Sequence, residues 1–323
     1  MNPLSAMYGA VTAVRNSLFE RKIFRSQLLE RPVVSVGNLS VGGTGKTPFV
    51  IALGELLQAR DIPFDVLSRG YGRTVRGVRV VVAGGDASNF GDEPLLIRRR
   101  LGVPVVVGES RYAAGQFAEQ QFESQLHLLD DGFQHRSLAR DFDIVLLSES
   151  DLDDHLLPVG RLREPLSSLA RADAIVVKST SDRAIAARIT ELKTATAPKA
   201  LLCQIERTFK VEGCAAAPIA FCGIARPQQF FANLRAAKIS PAAEVKFRDH
   251  HAYTKHDIER LLVMKSKLGA GGFVTTEKDA INLGPSQNSL QPLAVASLKI
   301  TFERPDDLVD AILARIAKRA PHS

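Results

Sequence analysis

The sequence predicts an α/β fold, a mostly parallel sheet covered by helices, followed by a second, smaller α/β domain. Three observations carry this expectation. From Pro32 onward, short β-branched runs alternate with helical patterns, the signature of parallel strands joined by crossover helices. A glycine-rich stretch, "SVGGTGKTP" from Ser40 to Pro48, stands between the first apolar run and the first helical pattern. Beyond a polar, alanine-rich stretch, a second set of runs begins near Leu201.

In chain order, the first element is a helix. Asn2 suits its cap and Pro3 its first turn, while Leu4, Met7, Val11, Val14 and Leu18 share one stripe opposite Ser5, Gly9, Thr12, Asn16 and Glu20. Arg21, Lys22 and Arg25 follow. Such a stripe either packs on its own domain or lies in the interface of an anionic membrane. Strands are expected at Val33 to Val36, Phe64 to Leu67, Val78 to Val82, Val103 to Val107, Leu126 to Leu129, Ile144 to Leu147 and Ala174 to Val177. Most are apolar on both faces, as central strands covered on each side must be. Ser181 to Lys199 reads as a helix and a link. The second set comprises the run near Leu201, Ile219 to Cys222, Phe273 to Thr275 and Leu298 to Phe302, with helical stretches at Pro227 to Leu234 and Lys255 to Leu268. The chain therefore divides into a helix at 1–25, a nucleotide-binding domain at 26–206 and a smaller α/β domain at 207–323.

Composition narrows the partners. A chain of 323 residues, 45% hydrophobic, is long enough for one large core and one small. A formal charge of +7 and a pI near 9.4 suit an anionic partner. Aromatic residues make up only 6% and tryptophan is absent, so the stacking platforms that single-stranded nucleic acid requires are scarce, and nucleic acid is not expected. Cys203, Cys214 and Cys222 lack the two-residue spacing of a zinc or redox pair and read as buried thiols of a reducing compartment. No apolar run approaches the ~20 residues that cross a bilayer, and no cleavable signal opens the chain. A cytoplasmic location follows as an expectation.

The glycine-rich stretch reads as a phosphate loop, which makes the fold P-loop NTPase-like. Gly45, Lys46 and Thr47 fill the last three places of the pattern, Gly42 and Gly43 loosen its middle with Val41 and Thr44 beside them, and Ser40 stands where the first glycine usually falls. Backbone N–H groups at such a turn, backed by a helix N-terminus, bind phosphate; Lys46 would reach the terminal phosphates and Thr47 would ligate Mg²⁺. "LHLLDDGFQHR" places Asp130 and Asp131 at the C-terminal edge of a buried strand, where ligands of open α/β sheets gather. Adjacent acids there repel each other unless a cation lies close by. "NFGDEP" puts Asp92 and Glu93 before a helix, and "FRDHHAY" puts Asp249, His250 and His251 in the second domain. A carboxylate oriented by a histidine can accept the proton of a sugar hydroxyl during phosphoryl transfer.

These stretches, with "LSRGYGR" at Leu67 to Arg73, "LLPVGRLREP" at Leu156 to Pro165, "FCGIARPQQF" at Phe221 to Phe230 and "TEKDAINL" at Thr276 to Leu283, resemble in order and combination the tetraacyldisaccharide 4'-kinases, the lipid A 4'-kinases of Gram-negative bacteria. The resemblance implies transfer of the γ-phosphate of ATP to the 4'-hydroxyl of a tetraacylated glucosamine disaccharide 1-phosphate, with Mg²⁺. It implies Asp92 as general base, His250 as its partner, Glu93, Asp130 and Asp131 around the metal, and Arg111, Arg163 and Glu164 as polar active-site residues. It also turns the first helix toward the cytoplasmic face of the inner membrane, peripherally attached, with a glycolipid substrate and no obligate protein partner. Arg69 and Arg73 would suit phosphates or headgroups, whereas Arg76 and Arg79 read first as solvated loop charges, and Lys278 receives no role beyond its place beside a helix cap. The main alternative is a membrane-associated ATPase switch, but such loops carry a lysine where Val41 stands here.

Overall fold

The computed structural model describes residues 3–319; the cap expected at Asn2 lies outside them. The N-terminal half comprises α1 (Pro3–Glu20), β1 (Val33–Asn38), α2 (Lys46–Gln58), β2 (Phe64–Ser68), β3 (Arg79–Val80), α3 (Ala87–Phe90), α4 (Asp92–Leu101), β4 (Val105–Val107), α5 (Arg111–Gln121), β5 (Leu126–Asp130), β6 (Phe142–Leu147), β7 (Ala174–Lys178) and α6 (Arg183–Thr196). The C-terminal half comprises β8 (Leu201–Val211), β9 (Ile219–Cys222), α7 (Pro227–Ala236), β10 (Ala243–Lys246), α8 (Lys255–Leu268), β11 (Phe273–Thr276), α9 (Glu277–Leu283), β12 (Leu293–Phe302) and α10 (Pro305–Ile316).

Among the described residues the strands form one sheet of twelve, in the order β10-β9-β11-β12-β8-β7-β6-β1-β5-β2-β4-β3. Pairing is parallel except at β12–β8 and at the β3–β4 edge. The fold class is therefore as expected, α/β with a mostly parallel sheet. The boundary drawn at residue 207 falls inside β8, which pairs with β7 over its first residues and with β12 over its later ones. Two parallel blocks are thus joined through one antiparallel ladder.

The strands form where β-branched residues recur without a break, and they are central because both faces are apolar. Every residue of β1, β2, β5 and β6 is buried. Helix α2 packs Phe49, Leu53 and Leu57 into the same core as Val34, Val66 and Leu128. At roughly 1.5–3 kcal/mol for each fully buried side chain of this kind, that face anchors the phosphate loop firmly to the sheet. On the opposite face, Leu29, Leu67, Leu129 and Ala114 form another cluster under α5. Two expectations shift. The run at Val78 to Val82 becomes a two-residue antiparallel edge strand at Arg79–Val80, partly exposed and paired only with β4. Strand β10 was not expected, because "AEVK" carries a single buried residue, Val245, in a polar setting.

The order of strands positions the site. β1 lies between β5 and β6, with Val36 level with Asp130, so the loop after β1 and the acids at the end of β5 emerge side by side. Loops after the parallel strands of the C-terminal block face the same cleft, as the contacts below demonstrate.

Candidate active site

Strand β1 ends at Asn38, and the chain turns through Ser40 to Gly45 into α2. Ser40 is wholly buried and its φ is not positive, so the first position of the loop has no need of glycine here. Gly45, by contrast, caps α2 with φ 85°, a left-handed conformation that strains any side chain. Gly42 has φ 99°. Val41 donates its amide to the Arg161 carbonyl at 2.8 Å, which pins the loop to the segment that carries Arg163. Thr44 and Thr47 are buried.

Lys46 points back across the loop. Its Nζ donates to Asn38 Oδ1 at 3.0 Å and pairs with Asp131 Oδ1 at 3.3 Å. Arg163 converges on the same atoms, reaching Asn38 Oδ1 at 2.5 Å and Asp131 Oδ1 at 3.0 Å. Burial would raise the Asp131 carboxyl, but Lys46 and Arg163 outweigh it and hold the group well below the usual carboxylate range. Asp131 also adopts φ 51°, an uncommon backbone state for a non-glycine residue and one that clusters at functional sites.

Its neighbour behaves oppositely. Asp130 is buried at the end of β5; it accepts from Ser68 Oγ at 3.2 Å, and its Oδ1 has no hydrogen-bond partner. Burial first, then the charges of Glu93 and Asp131, push it up to about 7. Arg111 begins α5, is buried, and is pushed down to about 10 by burial and by Arg69. The attraction of Asp130 and Asp131 opposes that shift, so Arg111 belongs to the same electrostatic cluster.

Asp92 and Glu93 open α4 after Gly91, whose φ of 88° and contact with the Tyr71 carbonyl leave no space for a Cβ. From the loop after β10, His250 reaches across with φ 56° and places Nδ1 2.8 Å from Asp92 Oδ2. Burial would raise Asp92, yet the His250 bond and the Lys278 charge bring it below its ordinary value. The Asp92 bond in turn raises His250. Tyr71 leans on the His250 ring, 5.3 Å between centroids. A cavity of about 340 Å³ opens beside the pair, lined by Tyr71, Thr74, Asp92, His250, Tyr253 and Asn282.

The sequence thus indicated residues that the fold brings together in two clusters facing one cleft: Lys46, Asp130, Asp131, Arg111 and Arg163 on one side, Asp92 and His250 on the other. Glu164 lies apart from both. It is buried, accepting from Arg171 and from Asn16 of α1 at 2.8 Å each, and so ties α1 to the site. Arg73 is turned to Glu109 at 2.7 Å. Lys278, which received no role, forms an ion pair with Glu93 and lies close enough to Asp92 and Asp130 to feel both charges. The expected cap in "TEKD" is present as well, Thr276 accepting from the Asp279 amide. Asn38 and Ser68 carried no expectation, although Ser68 stands in "LSRGYGR" and Asn38 two residues ahead of the glycine-rich stretch. A polar residue ending an apolar strand was the available signal.

Known proteins match the chain over nearly its whole length. Residues 1–317 match the family described as LpxK, tetraacyldisaccharide-1-P 4'-kinase. A tetraacyldisaccharide 4'-kinase of Koribacter versatilis (strain Ellin345) is 47% identical over 331 residues, covering 99% of this chain and 99% of that protein. Its counterpart from Chlorobaculum parvum is 38% identical and covers 95% of this chain and 90% of that protein. The crystal structure of an "apo" form of LpxK from Aquifex aeolicus in complex with ATP is similar at a TM-score of 0.76 and 32% identity, covering 97% of this chain and 98% of that one. With the phosphate loop, the paired acids and the Asp–His contact in one cleft, the chain belongs to the tetraacyldisaccharide-1-P 4'-kinase family.

Proposed function

We propose that the protein transfers the γ-phosphoryl group of ATP to the 4'-hydroxyl of a tetraacylated glucosamine disaccharide 1-phosphate, giving the bisphosphorylated lipid A precursor. The Asp92–His250 contact of 2.8 Å, in the cleft that also holds the phosphate loop, carries the reading. A nucleotide switch has no use for a histidine-oriented carboxylate beside a cavity lined with polar groups. A kinase needs one.

In this mechanism the loop from Val41 to Thr47 binds the nucleotide's phosphates through amides and the Lys46 ammonium. Asn38 and Asp131 hold Lys46 in position. The acceptor sugar occupies the cavity beside Asp92, and Asp92 takes the proton as the hydroxyl oxygen bonds to phosphorus and the bond to the bridging oxygen of ADP breaks. Being held below its ordinary pKa, Asp92 is ionised at neutral pH and ready to do so. His250 fixes the carboxylate's direction. Arg111 and Arg163 supply positive charge near the transferred group.

Mg²⁺ fits the residues present. A buried Asp130 oxygen without a partner, on a carboxyl raised by burial and then by two neighbouring acids, is what a cation would relieve. Asp130, with Thr47, would hold it, Glu93 being already paired with Lys278, and one or two carboxylates plus substrate phosphates are the usual complement for this ion. When bound it supplies charge neutralisation on the phosphates. Asp131 contributes more readily through Lys46 and Arg163 than as a ligand, since both cations already occupy it.

Attachment to a membrane surface rests on α1. No helix among the described residues is long and apolar enough to cross a bilayer. The helix turns its polar side inward, through Ser5 to the Leu156 carbonyl at 2.9 Å, Tyr8 to the Arg163 carbonyl at 3.1 Å and Asn16 to Glu164. Met7, Val11 and Val14 face solvent at 63%, 66% and 61% exposure, continued by exposed Ile23, Phe24 and Leu28 among Arg21, Lys22 and Arg25. An apolar strip bordered by cations suits the cytoplasmic face of an anionic inner membrane, from which a lipid acceptor would arrive.

The test is incubation of the purified protein with γ-labelled ATP, Mg²⁺ and tetraacyl disaccharide 1-phosphate in mixed micelles. Label should pass to the lipid and be lost on treatment with a phosphomonoesterase. Release of labelled inorganic phosphate alone would give the case to the switch.

A further inference from the structure

Two arginines of the C-terminal half hang over the phosphate loop without a carboxylate to neutralise either. Arg207, on β8, donates Nη2 to the Thr44 carbonyl at 2.7 Å. Its guanidinium carbon lies 3.2 Å from where a Cβ on Gly45 would stand. Its Nε is buried with no partner. Arg226, immediately ahead of α7, has its Nε 3.9 Å from the corresponding point on Gly42, and its Nη2 is likewise buried without a partner. Burial and the neighbouring Arg226 charge both bring Arg207 down from its ordinary value, the mark of cations gathered with no anion among them. The first turn of α7 has no side-chain cap, so its amides and the positive end of the helix add to the same field. Above Gly43, in the middle of the loop, the space is open.

Buried guanidinium nitrogens without partners are costly, and they persist where a ligand completes them. We infer that Arg207 and Arg226 form a second cationic wall of the nucleotide site, supplied by the C-terminal half, that grips the polyphosphate from the side opposite Lys46. Guanidinium forks match phosphate oxygens two at a time, which fixes the chain of phosphates as a single lysine cannot. The loop's glycines then serve two purposes: left-handed backbone, and clearance for the arginines that lie on it. This inference rests on ATP being the donor.

The experiment displaces a fluorescent ATP analogue from the full chain with ATP and, separately, with inorganic tripolyphosphate. Arg226→Met and Arg207→Met should each weaken both competitors by about ten- to a hundredfold, as loss of one charge-assisted contact implies. The KM for the acceptor lipid should stay within about twofold. Unchanged affinities would overturn the inference, and so would weakened ATP with unchanged tripolyphosphate, which would mean a contact to the base or ribose. Should Arg207→Met fail to fold for want of its Thr44 bond, Arg226→Met, whose side chain has no hydrogen bond to lose, decides alone. A wild-type protein that binds ATP but phosphorylates no lipid would sink the proposed reaction and leave this measurement intact.

Discussion

Asp92 shows how far one residue's chemistry depends on a residue 158 positions away. Burial by itself would raise its pKa; the His250 bond and the Lys278 charge reverse the sign. Asp92→Asn preserves the shape and removes the proposed base, so kcat should fall on the order of a hundredfold or more with ATP affinity nearly intact. In His250→Ala the lowering bond is lost, the Asp92 pKa rises, and the acidic limb of the kcat/KM profile should move to higher pH. A profile that keeps its acidic limb would make His250 a packing residue only. Both residues were legible in short motifs, because acids before a helix and paired histidines stand out in any chain. Lys278 was not, because a lysine in a capped helix looks the same whether it faces water or three carboxylates.

At the scale of elements, α1 is inverted relative to an ordinary surface helix. Its stripe was plain in the spacing of Leu4, Met7, Val11 and Val14, but which face turns inward was left open, and periodicity alone does not decide it. Polar acceptors on the segment before Pro165 decided it: the Leu156 and Arg163 carbonyls and the Glu164 carboxylate take Ser5, Tyr8 and Asn16. Met7→Asp with Val11→Asp should therefore change folding stability by no more than roughly 0.5 kcal/mol per site, as exposed substitutions do. Flotation with anionic vesicles should nevertheless be abolished. Vesicle binding that survives the pair of acids would remove α1 as the anchor. Similarly, α2 and α8 appeared from pattern alone, whereas β10 did not, since one buried valine in "AEVK" gives no periodicity to read.

Taken whole, the molecule is two parallel blocks sharing one sheet, with the β8–β12 ladder at the seam and the site in the cleft between the loops of both. Away from that cleft, the sheet carries a buried charge cluster. His127 on β5 lies level with Asp65 on β2, 2.8 Å from it, and 3.4 Å from Glu119 on α5. Burial would lower the imidazole, but the two acids prevail and raise it to about 9 from an ordinary 6.5. Because the folded value is the higher, the stabilisation is complete below pH 6.5 and is lost as pH climbs through about 9. Urea unfolding should show stability declining across that window, and His127→Gln should flatten the decline. A slope unchanged in the variant would assign it to other groups.

By itself the sequence determined the class of fold, the glycine-rich loop between strand and helix, and the residue types of the proposed site, because these are local: strand periodicity, a glycine-rich turn and acids at strand ends are written in consecutive residues. Tertiary structure alone decided that β8 crosses the seam, that α1 shows its apolar side, and that Lys278, Arg207 and Arg226 reach the cleft. Those outcomes turn on which distant groups meet, and a charge or a hydrogen bond between residues far apart in the chain leaves no spacing behind.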